Sequence, residues 1–234
     1  ARRVCQNLKI EQSLADKLVF ASMCHDLGHG PFSHTLEYFV LPKLGIHDFC
    51  HEDYSEAIAR RIYDELESPC FDIDDLSEIL NNGGKNLSNG VFNMVSNKSF
   101  GIDVDRADYM QRDSMLLGID LQLRLDELLA SFVLEPNVYG KDFVLGLQAE
   151  AVPLFHHFLE MRYLMFDQMY TQPLATGRNL LIARVLYEAD SYIKLSERLR
   201  KFDTFTQLSD EVLSEALAQK SKSDALDRII DLVE

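Results

Sequence analysis

Three histidines, an aspartate and two glycines fall within the twelve residues MCHDLGHGPFSH (23–34), directly after a run that sets Leu14, Leu18 and Ala21 at helical spacing. A helix therefore ends where metal-capable and proton-transferring groups crowd together. Ser13 is its expected cap, and Gly28 ends the pattern. His25 and Asp26 stand at the C-terminal end of that helix, where the macrodipole disfavours a carboxylate by about 0.3–1 kcal/mol. Asp26 calls for a compensating positive charge. A divalent cation would supply it, because imidazole with carboxylate suits Zn, Fe and Mn, although an isolated pair of this kind more often just meets the last helix carbonyls. Gly28 and Gly30 permit a sharp turn, Pro31 fixes the direction of departure, and His29 and His34 add two imidazoles. So much polar chemistry beside an apolar helix is costly to bury without a function.

Helical periods dominate the rest of the chain. Residues 51–68 repeat them through Tyr54, Ile58, Ile62 and Leu66 up to Pro69, a further helix starts near Asp103 or Asp105 and ends at Gly118, and long patterns cover 151–171 and 174–195. Shorter helices are expected in SDEVLSEALAQ and SDALDRIIDLV. The stretch 81–90, NNGGKNLSNG, reads as a surface loop or insertion without core residues. Only 138–148 alternates like a strand pair around a glycine, so the fold class is all-α with at most a short β-hairpin there. The 234 residues make one domain spanning 1–234.

The net charge of -15 excludes a broad nucleic-acid or anionic-membrane surface, since both need a basic footprint. No apolar run approaches the roughly 20 residues that cross a bilayer, and ARRVCQNLKI has no signal-peptide stretch. A cytoplasmic or nuclear location is the expectation. Cys5, Cys24, Cys50 and Cys70 show no CxxC pairing and read as reduced thiols.

The run HDLGHGPFSH resembles the signature of the HD-domain metal-dependent phosphohydrolases, in their deoxynucleoside triphosphate triphosphohydrolase branch. HEDYSEAI at His51, GIDVDRADYMQRD at 101–113 and MRYLMFDQMY at 161–170 resemble further segments of that family in matching order. The resemblance implies an all-helical HD-domain fold and hydrolysis of a dNTP to deoxynucleoside and inorganic triphosphate. It implies that His25, Asp26 and Asp105 bind a divalent metal, Fe, Mn, Zn or Mg. His29 and His51 become the candidates for proton transfer, Glu52 holds His51 in orientation, and Glu37, one turn after His34, stands where many relatives have an aspartate.

For the substrate, the resemblance gives His34, Arg106 and Arg162 to phosphate, Tyr109 to the deoxyribose, Asp113 to its 3′-hydroxyl and Tyr170 to the nucleoside. Spacing agrees in part: Asp105, Tyr109 and Asp113 fall at i, i+4 and i+8 on one helical face, and Arg162 and Tyr170 are likewise eight apart. A solvated acidic face would look the same by spacing alone. His156 and His157 match nothing catalytic. The family's first metal histidine lies upstream of the His-Asp pair, and no histidine precedes His25, so the sequence is expected to start inside the domain. A nucleotide activator and a homo-oligomer are further implications. The rivals are another HD-domain chemistry, a monophosphatase or phosphodiesterase, and a silent nucleotide-binding module.

Overall fold

The computed structural model describes residues 1–84, 86–87, 89–97, 101–136 and 143–233. The chain divides into two compact units, residues 1–27 with 55–166, and residues 28–54 with 167–234. Its helices are α1 (Arg2–Asn7), α2 (Gln12–Cys24), α3 (His51–Asp64), α4 (Leu76–Asn82), α5 (Val104–Leu116) and α6 (Leu125–Ala130). After the hairpin come α7 (Val152–Met165), α8 (Pro173–Ile193), α9 (Leu195–Leu199), α10 (Phe202–Phe205), α11 (Val212–Leu217) and α12 (Asp224–Val233). The fold is all-α with one two-stranded antiparallel hairpin. Among the described residues no helix is long and apolar enough to cross a membrane.

In the first unit α2 buries Ala15, Leu18, Ala21 and Cys24, one stripe at three-residue steps, as the apolar period requires. Its cap differs from expectation. Glu11 is the N-cap and accepts from the Leu14 amide, while the Ser13 hydroxyl donates to the same carboxylate. Helix α5 starts on Asp103, whose carboxylate accepts from the Arg106 amide, and it buries Ala107, Met110 and Ser114. That stripe leaves Asp105, Tyr109 and Asp113 half-buried on another face of the helix.

The hairpin pairs β1 (Phe132–Pro136) with β2 (Phe143–Leu147) in the register Phe132↔Leu147 to Pro136↔Phe143. Its first arm thus lies upstream of the expected 138–148, because Phe132 is itself a core residue facing inward beside Leu145. The turn expected around 137–142 lies outside the described residues. The glycines of the 81–90 stretch are more than loop filler. Gly83 closes α4 in the left-handed region, and a Cβ there would meet the Ser96 carbonyl oxygen at 1.9 Å.

The second unit is built on α8, which buries Ala183, Val185, Leu186, Ala189 and Ile193 and packs against α11, α12 and a π-helical turn, Leu36–Val40. Tyr54 joins Phe49 and Phe205 in an aromatic cluster, and its hydroxyl donates to the Leu199 carbonyl at 3.0 Å.

Candidate functional site

The first unit brings His25, Asp26 and Asp105 together, with one ligand atom of each lying within 4.8 Å of the others. Helix α2 stops at Cys24, so His25 is its C-cap and its ring turns back. His25 Nδ1 lies 2.9 Å from the Ser22 carbonyl oxygen, a contact that is attractive only if Nδ1 carries the hydrogen and donates it. Nε2 is then left for another partner. Asp26 Oδ2 and Asp105 Oδ1 lie 3.2 Å from it on either hand. Neither is in line for a hydrogen bond, so the buried Nε2 has no such partner among the described residues. An imidazole lone pair between two carboxylates repels both, and the point demands a cation.

A proton or a metal ion can meet that demand. Burial pulls the His25 pKa down, and the facing carboxylates of Asp105 and Asp26 outweigh it, leaving the imidazole pushed up to about 10. One imidazole and two carboxylates are also a donor set for Mn, Fe, Zn or Mg, and a His whose second nitrogen donates to a backbone carbonyl is oriented as metal-binding histidines usually are. The residues fit such an ion. In metal-free protein the raised pKa makes the His25 contribution to stability fully present below its ordinary value of 6.5 and lost as pH rises through about 10. Thermal unfolding of chelator-treated protein should therefore fall across that window, by about 2–4 °C for each kcal/mol lost in a chain of this size. His25→Gln should flatten the decline, and an equally steep decline in the variant would remove His25 from the coupled cluster.

Helices α5 and α7 supply further predicted site residues of the first unit. Arg162 Nε donates to the Tyr109 hydroxyl at 3.2 Å, and its guanidinium lies 5.0 Å from the centre of the Phe166 ring. These contacts hold the guanidinium in one orientation. Asp113 lies one turn beyond Tyr109, 30% exposed, with Arg112 Nε at 3.8 Å. Arg106 has partners within its own unit: its Nη1 donates to the buried Asp103 carboxylate and, at 2.9 Å, to the Asn97 carbonyl. A buried carboxylate without that partner would be costly, so one edge of the guanidinium is a counter-ion of the helix cap. Burial pushes the Asp103 pKa up, while the Asn97 and Arg106 amides and the Arg106 charge oppose it.

The second unit gathers the other predicted histidines around one carboxylate. Glu37 Oε1 lies 2.7 Å from His29 Nδ1 and 3.3 Å from His51 Nδ1, and Oε2 lies 3.6 Å from His34 Nδ1. The His29 and His51 rings stack with centroids 3.9 Å apart. His51 Nε2 is 3.5 Å from Glu52, which places that carboxylate on the opposite edge of the ring. Glu37 is 14% exposed and His34 59%, so the carboxylate is enclosed while His34 reaches outward. The π-helical turn Leu36–Val40 carries Glu37, and turns of that kind re-aim a side chain relative to ordinary helical spacing. His29, His34 and Glu37 could also hold a cation, since their ligand atoms lie within 4.8 Å of one another. The close Nδ1 contacts suit hydrogen bonds better, because each imidazole then donates to the carboxylate.

Tyr170 closes a second π-helical turn, Phe166–Tyr170, and is half-buried. Helix α7 therefore does not keep α geometry through to Tyr170. His157 Nε2 lies 3.1 Å from the Leu121 carbonyl, a structural contact. Sequence reasoning missed Ser22, which acts only through its backbone oxygen, and Asp103, whose DxxR spacing to Arg106 was a legible signal.

Comparison with known proteins follows the same direction. No family model matches the chain. The chain is 32% identical over 197 residues to the deoxynucleoside triphosphate triphosphohydrolase SAMHD1 homolog of Dictyostelium discoideum, covering 82% of this chain and 37% of that protein. It is 27% identical over 220 residues to a putative HD domain-containing protein of Acanthamoeba polyphaga mimivirus, covering 90% and 46%. With the deoxynucleoside triphosphate triphosphohydrolase SAMHD1 of Bos taurus it shares 25% identity over 236 residues, covering 84% and 37%. The chain spans less than half the length of these curated relatives. Similarity that runs over most of its residues makes this chain a homologue of HD domain-containing proteins and of SAMHD1-like deoxynucleoside triphosphate triphosphohydrolases.

Proposed function

We propose that this chain carries the catalytic residues of a metal-dependent hydrolase that converts a dNTP and water to deoxynucleoside and inorganic triphosphate. The observation that carries the reading is the buried Nε2 of His25, 3.2 Å from both Asp26 and Asp105, three groups that a divalent cation would tie together. Such an ion supplies Lewis-acid polarisation of a phosphoryl oxygen and lowers the pKa of water.

The chain's own groups have the remaining tasks. Water oxygen bonds to the α-phosphorus, the bond from that phosphorus to the 5′-oxygen breaks, and the leaving oxygen takes a proton from His29 or His51. Glu37 holds both rings by their Nδ1 edges, which frees the Nε2 of His29 for transfer, and Glu52 orients His51. His34 and Arg162 neutralise phosphate charge. Tyr109 packs on the deoxyribose, Asp113 bonds the 3′-hydroxyl and Tyr170 meets the nucleoside.

The commitment of Arg106 to Asp103 favours a second reading. With fewer cations for a triphosphate, the same clusters would serve an HD-domain monophosphatase or phosphodiesterase. Product analysis separates the two. Hydrolysis of dGTP by the natural full-length protein in water enriched with heavy oxygen should put the label on triphosphate, and phosphorus NMR should show triphosphate without accumulating dGDP or dGMP. dGDP with free phosphate would mean attack at the terminal phosphorus and would end the triphosphohydrolase reading.

A further inference from the structure

The turn between His29 and His34 is held by a residue for which the proposed chemistry has no use. Gly30 is pressed against an apolar wall, where a Cβ would meet Leu36 at 2.5 Å, Phe205 at 3.6 Å and Leu199 at 3.8 Å. Phe32 and Ser33 then follow with φ of 59° and 46°, two consecutive side-chain-bearing residues in the left-handed region. That conformation is uncommon and persists only where the surroundings over-determine it. Three backbone donors of the turn are satisfied locally: Ser33 N–H by the Gly30 carbonyl at 2.9 Å, Thr35 N–H by the Phe32 carbonyl at 2.9 Å, and Glu37 N–H by the Ser33 carbonyl at 3.3 Å. The Phe32 amide goes elsewhere. It donates at 2.8 Å to Oδ1 of Asp210, 178 residues further along and just ahead of α11.

We propose that Asp210 is a positioning residue for the second unit's histidines, fixing through the Phe32 amide the left-handed turn that aims His34 and starts the π-helical turn carrying Glu37. The chain leaves Ser33 directly into His34 and reaches Glu37 one turn later, so relaxation at Phe32 and Ser33 turns both side chains. Glu37 is the acceptor for the His29 and His51 rings, which move with it. Asp210 is itself exposed, so its hydrogen bond adds little to global stability and its effect is directional. Its kinetic consequence rests on the hydrolytic reading; its structural consequence does not.

The test compares Asp210→Ala and Asp210→Asn in the full-length protein, reading kcat and KM for dGTP and the imidazole nitrogen resonances of His29 and His34. Asp210→Ala should lower kcat by about tenfold with KM within about twofold, and shift both sets of resonances. Asp210→Asn keeps an oxygen that accepts from Phe32, and should restore wild-type resonances and most of the rate. Unshifted resonances with an unchanged kcat in Asp210→Ala overturn the proposal, as does an Asn variant as impaired as the Ala variant. If the wild type hydrolyses no dNTP, the hydrolytic reading fails and the resonances alone decide, shifted in favour and unshifted against. Should Asp210→Ala fold poorly, Asp210→Glu, whose oxygen is displaced by one methylene, takes its place with the same expected outcome.

Discussion

On the proposed reading, Asp105→Ala should abolish hydrolysis and leave α5 folded. The carboxylate is one of the three groups around the His25 Nε2 position, 3.2 Å from it, and lies on the face of α5 opposite in kind to the apolar stripe of Ala107, Met110 and Ser114. Removing it touches neither that stripe nor the cap made by Asp103. What it removes is a charged donor from a site whose proposed metal would supply several kcal/mol of transition-state charge stabilisation, an expected loss on the order of 10³-fold in rate or more. Metal content should fall in parallel, read by elemental analysis after gel filtration, and circular dichroism should remain that of the wild type. The metal-free protein should also respond in a directed way. Burial holds the His25 pKa down and Asp105 is the first of the groups that raise it, so the variant's His25 should titrate well below about 10. A variant with wild-type turnover and metal content would take Asp105 out of the mechanism.

The same residues mark how far the sequence could be read. Helices α2 and α5 were legible because their apolar residues recur with a period that only one buried stripe can explain. The hairpin was placed too late because alternation around Gly140 looked stronger than FVLEP, and burial of Phe132 is a tertiary fact with no local signature. His25, Asp26, His29 and His34 stand in one short run, so their chemistry is visible in it. Asp105 and Glu37 could be nominated only through the family resemblance, since an acid on a helix is ordinarily a solvated acid.

Three contacts were beyond reach for physical reasons. The Ser22 carbonyl that sets the His25 tautomer has no residue-type signal, since every residue offers a carbonyl. The π-helical turns at Leu36–Val40 and Phe166–Tyr170 insert a residue without a compositional mark. Asp210 reaches Phe32 across 178 residues, a separation at which single-sequence patterns say nothing.

Glu37→Ala should lower the rate by about 10²- to 10⁴-fold, the range associated with a positioned general acid or base, although Glu37 itself transfers no proton to substrate. Its carboxylate accepts from two imidazoles that stack at 3.9 Å, His29 at 2.7 Å and His51 at 3.3 Å. Each ring is less than one-fifth exposed, so water replaces the lost acceptor poorly and the Nδ1–H groups seek other partners by rotation or by changing tautomer. Either response withdraws a correctly protonated Nε2 from the leaving oxygen. Metal content should be unchanged, because His25, Asp26 and Asp105 hold their own geometry within the first unit. Glu37→Asp should be milder, since a carboxylate shortened by one methylene can keep one ring but not both. An Ala variant with near wild-type rate, or one that loses metal, would show that Glu37 does not act through the two histidines.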